Sequence, residues 1–124
     1  MKLGTVVLCD ANPGGVELRR FNTVEVPDPD DVPEHAAEGA EAVVLKGWRP
    51  AVALPVVREV RRRGSKGTIV VLTRHADAAA GQQAIRLGAQ FIGECDLGRL
   101  EAVLIAAVAA RKQPRKGGGK RRAQ

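Results

Sequence analysis

Aromatic residues are almost absent from this sequence, which has two Phe, one Trp and no Tyr. A hydrophobic core must therefore be built from Val, Leu, Ile and Ala. No apolar run approaches the roughly 20 residues that a membrane-spanning helix needs, and the first residues lack the apolar stretch of a signal peptide. We therefore expect a cytoplasmic protein, and 124 residues suit one domain with a buried core.

Acidic residues are missing from the C-terminal segment 111–124, which holds seven of the 20 basic residues. The rest of the chain then has 13 basic and 14 acidic residues, so its net charge of −1 is close to zero. Pro114 and the glycines at 117–119 stand among these bases without apolar residues. This composition predicts a folded domain over residues 1–112 and a disordered basic tail over 113–124.

Five short apolar runs recur at intervals of about twenty residues and alternate with helical patterns. Three of the runs are continuous, which is typical of strands covered on both faces. The second run alternates and is flanked by prolines, so we place it at an edge of the sheet. The runs cover residues 5–9, 23–26, 42–45, 68–72 and 90–93, and the helical patterns cover 30–39, 50–63, 78–87 and 97–111.

This alternation predicts an α/β fold with a doubly wound, five-stranded parallel sheet. The segment between the first two strands, Ala11 to Asn22, has only twelve residues, so the first helix should be short or distorted. Asp30 or Asp31 is expected to cap the next helix. Because Pro55 fits only the first turn of a helix, the regular part of the helix over 50–63 should begin near Ala53.

The two cysteines, Cys9 and Cys95, are predicted to be free thiols. No further Cys or His clusters near either one, so neither belongs to a metal site. At the ends of the first and fifth strands they would be separated by three strand spacings, roughly 14 Å. A disulfide tolerates only about 7 Å between Cα atoms.

In the order and spacing of its motifs, the chain resembles the receiver domain of bacterial response regulators over roughly residues 4–110. Residues 8–13 resemble the acidic end of the family's first strand, and residues 70–77 its fourth strand. Residues 87–92 resemble the Leu-Gly-Ala run that enters strand five. The resemblance implies a flavodoxin-like fold with strand order 2-1-3-4-5, and it places Thr73 and Phe91 at the two switch positions.

The chain departs from the family at the residues that carry its chemistry. The resemblance implies two acids on strand one, a phospho-acceptor Asp on strand three and a Lys on strand five. Here the corresponding residues are Asp10, Ala11, Lys46 and Glu94. An ammonium group cannot form an acyl phosphate, and it would repel a divalent cation in the same pocket. We therefore expect no phosphorylation, no bound Mg²⁺ and no other cofactor.

We expect Lys46 to form an ion pair with Asp10 on the neighbouring strand, with Glu94, or with both. Such a pair would replace metal and phosphate and would hold the pocket, which also includes Ala11 and Thr73, in one state. The resulting hypothesis is a receiver without phosphorylation, a pseudo-receiver, that acts in signalling by binding a protein partner and is not an enzyme. One alternative is a small flavodoxin-like enzyme that uses Lys46. The other is a dimeric nucleic-acid-associated protein that uses the tail.

Two surfaces are candidates for protein contacts. Trp48 follows the strand that ends at Lys46, so it either anchors a partner or packs locally over the pocket. The last helix has a side almost without charge, which favours a homodimer through close helix packing; it is formed by Ala102, Ile105, Ala106 and Ala109.

The tail is the candidate for a weak contact with nucleic acid or an acidic partner. It lacks aromatic residues for stacking on bases, so the contact would be electrostatic. Its basic residues are Arg111, Lys112, Arg115, Lys116, Lys120, Arg121 and Arg122.

Overall fold

A computed structural model of the protein describes residues 2–12, 18–74, 78–93 and 97–112, without the side chains of residues 97 and 110–112. Its strands all run parallel in the order β2-β1-β3-β4-β5, which confirms the predicted flavodoxin-like topology and the edge position of the second strand. The strands are β1 (Thr5–Asp10), β2 (Asn22–Glu25), β3 (Ala42–Lys46), β4 (Thr68–Thr73) and β5 (Ala89–Gly93).

Helices of the described ranges cover both faces of this sheet. They are α1 (Val32–Ala36), α2 (Pro50–Arg62), α3 (Ala78–Arg86) and α4 (Leu97–Lys112). Helices α1, α2 and α3 pack on one face, and α4 packs on the other together with Leu18 and Phe21. None of them has both the length and the apolar character needed to cross a bilayer. The short helix expected between β1 and β2 falls largely on residues 13–17, outside the described residues.

The core is aliphatic, as the scarcity of aromatic residues predicts. Every residue of β3 is buried, because helices cover both faces of this central strand. Side chains alternate between the two faces, so Val43 and Leu45 belong to the cluster under α1–α3, whereas Ala42 and Val44 belong to the cluster under α4. The same alternation places Lys46, the last residue of β3, on the α4 face.

Two helix starts differ from the sequence prediction. Helix α2 begins at Pro50, not near Ala53, because proline at the first helical position has the required φ and needs no donor. Pro55 lies inside the helix with an exposed side chain, so the single lost backbone bond is on the solvent side.

Asp28 provides the side-chain cap expected of Asp30 or Asp31; it accepts from the Asp30 N–H and begins a 3-10 turn that leads into α1.

Candidate functional site

The candidate site lies at the carboxyl edge of the sheet, where β1 and β3 end side by side. Asp10 and Lys46 are register partners in the last rung of the β1–β3 ladder. The peptide N–H of Ala11 donates to the Lys46 carbonyl at 2.9 Å, and that of Gly47 donates to the Leu72 carbonyl at 2.9 Å. These bonds extend the pairing past the strand ends and fix the backbone on which both charged side chains stand.

A buried ion pair occupies this edge. Lys46 Nζ lies 3.3 Å from Asp10 Oδ1, and the two side chains are 11% and 6% exposed. Oδ1 also accepts the peptide N–H of Asn12 at 2.9 Å, whereas the buried Oδ2 has no hydrogen-bond partner among the described residues. A buried ion pair is costly to break from one side, because the remaining charge then lacks compensation.

These residues do not fit a divalent metal ion. A Mg²⁺ bound to Asp10 at its usual distance of about 2.1 Å would come close to the Lys46 ammonium, and the repulsion is strong in a pocket with little water. Within the described ranges, no three His, Cys, Asp or Glu side chains converge on a metal-binding position. The cation at this edge is part of the chain itself.

The loop after β3 is attached to β1 by Trp48. Its indole Nε1 donates to the Cys9 carbonyl at 3.0 Å, and the half-buried ring packs against the core cluster under α1–α3. This position agrees with local packing over the strand ends, one of the two roles predicted for Trp48. Sequence reasoning missed its bond to Cys9, and also the bond from Asn12 to Asp10, although an Asp followed two residues later by Asn is typical of such a turn.

Cys9 is a buried free thiol next to this loop. Burial, reinforced by the charges of Asp28 and Asp10 and opposed by a hydrogen bond with Trp48, raises the pKa of the thiol to about 11. The thiol is therefore neutral at ordinary pH and is not a nucleophile. Cys95 lies outside the described residues.

The two switch-like residues share the other face of the sheet. Phe91 packs against the cluster under α1–α3, close to Gly81 of α3. Thr73 is buried and continues the alternating series of Ile69 and Val71, which belong to the same cluster. The structure thus brings Asp10 and Lys46 together on the α4 face and places Thr73 on the α1–α3 face. Glu94 lies outside the described residues.

The candidate dimer surface on α4 differs in part from the prediction. Ala102, Ala106 and Ala109 are exposed, as expected for an outward side. Ile105 is half-buried and packs against the cluster under α4, so most of its surface belongs to the core. The side chains of Arg111 and Lys112 and all of residues 113–124, the predicted tail, lie outside the described residues.

No protein-family model and no curated protein matches the sequence. Solved structures do match. The chain is similar to the BeF3-activated DrrB receiver domain, with a TM-score of 0.72, 14% identity, and coverage of 88% of this chain and 99% of the other. It is also similar to a LuxR-family two-component response regulator from an Aurantimonas species, with a TM-score of 0.66, 21% identity, and coverage of 88% and 96%.

A third similar structure is the receiver domain of the histidine kinase CKI1 from Arabidopsis thaliana, solved with Mg²⁺ and BeF3⁻. It gives a TM-score of 0.68 at 14% identity, covering 88% of this chain and 91% of the other. At such identities the likeness concerns the backbone arrangement and not the residues at the strand ends. The chain therefore has the flavodoxin-like fold that receiver domains adopt.

Proposed function

We propose that the protein is a cytoplasmic pseudo-receiver, a signalling module that binds a protein partner and is not phosphorylated on aspartate. The observation that carries this proposal is the buried Lys46–Asp10 pair at the carboxyl edge, 3.3 Å between charged atoms. Lys46 stands where the resemblance to receivers implies the acceptor carboxylate, and an ammonium has no oxygen to accept a phosphoryl group.

Asp10 is a poor substitute acceptor. One of its oxygens already binds Lys46 and the Asn12 N–H, and its side chain is only 6% exposed. The same contact weakens the enzyme alternative, because the Lys46 nitrogen is buried and bound to the Asp10 carboxylate and is not free to attack a substrate. The proposal therefore assigns the pair a structural role that holds the pocket in one state.

Treatment with acetyl phosphate and Mg²⁺, or with beryllofluoride and Mg²⁺, tests the proposal directly. We expect no adduct in the intact mass and no change in the amide NMR spectrum. A receiver domain with an acceptor Asp, treated in parallel, shows that the reagents are active. A phosphoryl adduct that disappears in an Asp10→Asn variant would overturn the proposal.

Partner binding can still be coupled to the retained switch-like residues. Thr73 and Phe91 lie on the α1–α3 face, away from the ion pair. We propose that a partner, and not phosphorylation, shifts these residues, and that the exposed part of Trp48 contributes to the contact. NMR of the protein with its captured partner should show the largest amide shifts near these three residues.

We also propose a homodimer through the outward side of α4. Ala102, Ala106 and Ala109 are exposed and small, which permits two helices to approach closely. Sedimentation should show a dimer that an Ala106→Glu substitution dissociates. An Ala79→Glu variant on exposed α3 is the matched control, and a wild-type monomer at high micromolar concentration would contradict the proposal.

A second candidate is nucleic-acid association through the tail, favoured by the seven basic residues of segment 111–124. The contact is proposed as weak and electrostatic. Deletion of the residues after Gln113 should reduce retention on a DNA column at low salt, and unchanged retention would remove this candidate.

A further inference from the structure

The charges of the folded domain are segregated, although their sum is close to zero. A net charge does not record where the charges lie, and the structure shows the positions of the exposed bases. Exposed bases collect where α2 and α3 end, at the amino edge of the sheet, opposite the Lys46 pocket. This set, called the basic edge, consists of Arg58, Arg62, Arg63, Lys66 and Arg86. By contrast, segment 25–41 has seven acids and no Lys or Arg.

The fold itself brings these bases together. Each helix that follows a parallel strand runs back along the sheet, so α2 and α3 both end at the amino edge. Arg58 of α2 donates to the Gln83 side chain of α3 at 3.5 Å. Arg61 joins the same two ends through bonds to the carbonyls of Leu87 at 2.8 Å and Gly88 at 3.0 Å. These hydrogen bonds hold the ends of α2 and α3, and thus the backbone that carries the basic residues, in fixed positions relative to each other.

Most of this charge remains available to a ligand. Glu59 is an acid beside these bases, and it binds Arg62 and Arg63. Arg62 nevertheless keeps 71% of its side chain exposed, and Arg63 keeps 44%. The five bases and Glu59 together carry four net positive charges. Glu41, which accepts the Thr5 N–H at 2.8 Å just before β3, adds one acid to the same edge.

Helix α4 ends at the same edge. A Cβ built on Gly4, just before β1, would lie 3.1 Å from Val108 Cγ2, so the last turns of α4 lie beside the start of β1. Segment 113–124, which follows α4 in the sequence and lies outside the described residues, contains five further bases. Lys2 and Arg20, both exposed, flank β1 and β2 at this edge.

We propose that the basic edge binds the phosphate backbone of duplex nucleic acid, without reading its sequence. Packed helices lie about 8–10 Å apart, and each strand of a duplex presents a phosphate about every 3.4 Å along the axis. The ends of α2 and α3 thus match about three phosphates. Four of the five bases are Arg, whose planar guanidinium suits phosphate oxygens.

Other polyanions fit this surface less well. The basic edge has no aromatic residue on which single-stranded bases could stack. It also lacks the buried aromatic anchors on which protein interfaces usually depend. Ile85 is the large apolar side chain exposed beside it, at 68%, and one such residue is a weak anchor for a membrane surface.

The test measures fluorescence anisotropy of a labelled duplex of arbitrary sequence, titrated with the full chain at several salt concentrations. The triple variant Arg58→Gln/Lys66→Gln/Arg86→Gln removes three exposed charges. Each lost phosphate contact flattens the log-log salt slope by about 0.9, so we expect the slope to become less negative by about 2.7. The affinity at low salt should fall at least about tenfold.

A matched triple, Arg49→Gln/Arg74→Gln/Arg99→Gln, removes the same charge from the carboxyl edge and should leave the slope within experimental error. Far-UV circular dichroism melts verify that both variants remain folded. The proposal is overturned if both triples weaken binding equally, because net charge alone then explains it. It is also overturned if the first triple has no effect, or if anionic vesicles or polyglutamate compete better than unlabelled duplex.

Discussion

Two cations, the buried Lys46 and the half-buried Arg61, stand at opposite edges of the sheet and are held in different ways. Lys46, at the carboxyl edge, lies 3.3 Å from the carboxylate of Asp10. Arg61, in the last turn of α2, uses its guanidinium to bind four backbone carbonyls at 2.8–3.0 Å. These carbonyls belong to Ser65, Gly67, Leu87 and Gly88.

Lys46 depends on its charge, whereas Arg61 depends on the shape of its guanidinium group. Lys46 is compensated by one opposite charge, so the two side chains depend on each other. Arg61 is compensated by oxygen dipoles that the backbone supplies, and only a planar group with five donors reaches all four. Burial lowers the pKa of Arg61, but the guanidinium still stays charged. A partner mutation should therefore rescue the first site and not the second.

The largest expected effect is at the carboxyl edge. Lys46→Met keeps the apolar stem and removes the ammonium, which leaves the buried Asp10 carboxylate without its counter-charge. We expect the free energy of unfolding to fall by about 3–5 kcal/mol, measured by urea denaturation followed by circular dichroism.

The double variant Asp10→Asn/Lys46→Met isolates the interaction between the two side chains. Because neither charge then remains buried, we expect it to recover more than half of the loss. A double variant as unstable as Lys46→Met alone would mean that the carboxylate does not need the ammonium. Lys46 would then not differ from Arg61 in depending on one opposite charge.

The next effect is at the amino edge. Arg61→Lys keeps the charge but loses the planar fork, so most of the four hydrogen bonds cannot form. We expect a loss of about 2–4 kcal/mol in urea denaturation, since bonds from a charged donor contribute about 1.5–3 kcal/mol each and are not additive. Arg58→Lys, on the exposed side of α2, is the matched control and should change stability by less than about 0.5 kcal/mol. Equal effects would show that Arg61 acts only as a charge.

The sequence allows one of these two sites to be predicted but not the other. Continuous apolar runs fix the strands and their parallel order, and parallel strands end at a common edge, so Asp10 and Lys46 are expected as neighbours. Arg61 stands among other arginines without any local signal. Its acceptors come from two loops that the fold alone brings together.

The other differences between the sequence analysis and the structure have two causes. The basic edge could not be predicted from the net charge of the domain, because a sum of charges does not show which helix ends lie together. The rule for proline misplaced the start of α2, since it did not consider that Pro55 is on the exposed side. The pairing of Lys46 with Glu94, which lies outside the described residues, stays a prediction.

A smaller effect tests how the loop after Lys46 is attached. Trp48→Phe keeps most of the ring packing and removes the bond from Nε1 to the Cys9 carbonyl. We expect a loss of about 1 kcal/mol, the usual net contribution of one hydrogen bond, measured by circular dichroism in urea. Trp48→Leu also removes the ring contacts and should cost more. If both variants equal wild type, the indole does not hold the loop against β1.

The smallest effect concerns Glu59, the half-buried acid beside the basic edge, and appears only in the pH dependence. Hydrogen bonds from Arg62 and Arg63 lower the pKa of Glu59 to about 2. A carboxyl group with a lowered folded pKa contributes stability above its unfolded value of about 4.3, and this contribution is lost as the pH falls through the folded value. The stability of wild type relative to Glu59→Gln should thus be constant near neutral pH and decline between about pH 4.3 and pH 2. Because the Glu59 pairs lie at the surface, with exposed arginine partners, added salt should shrink the difference, whereas it should leave the Lys46→Met effect nearly unchanged. A Glu59 difference that resists salt would mean that the amino edge, too, contains a buried charge pair.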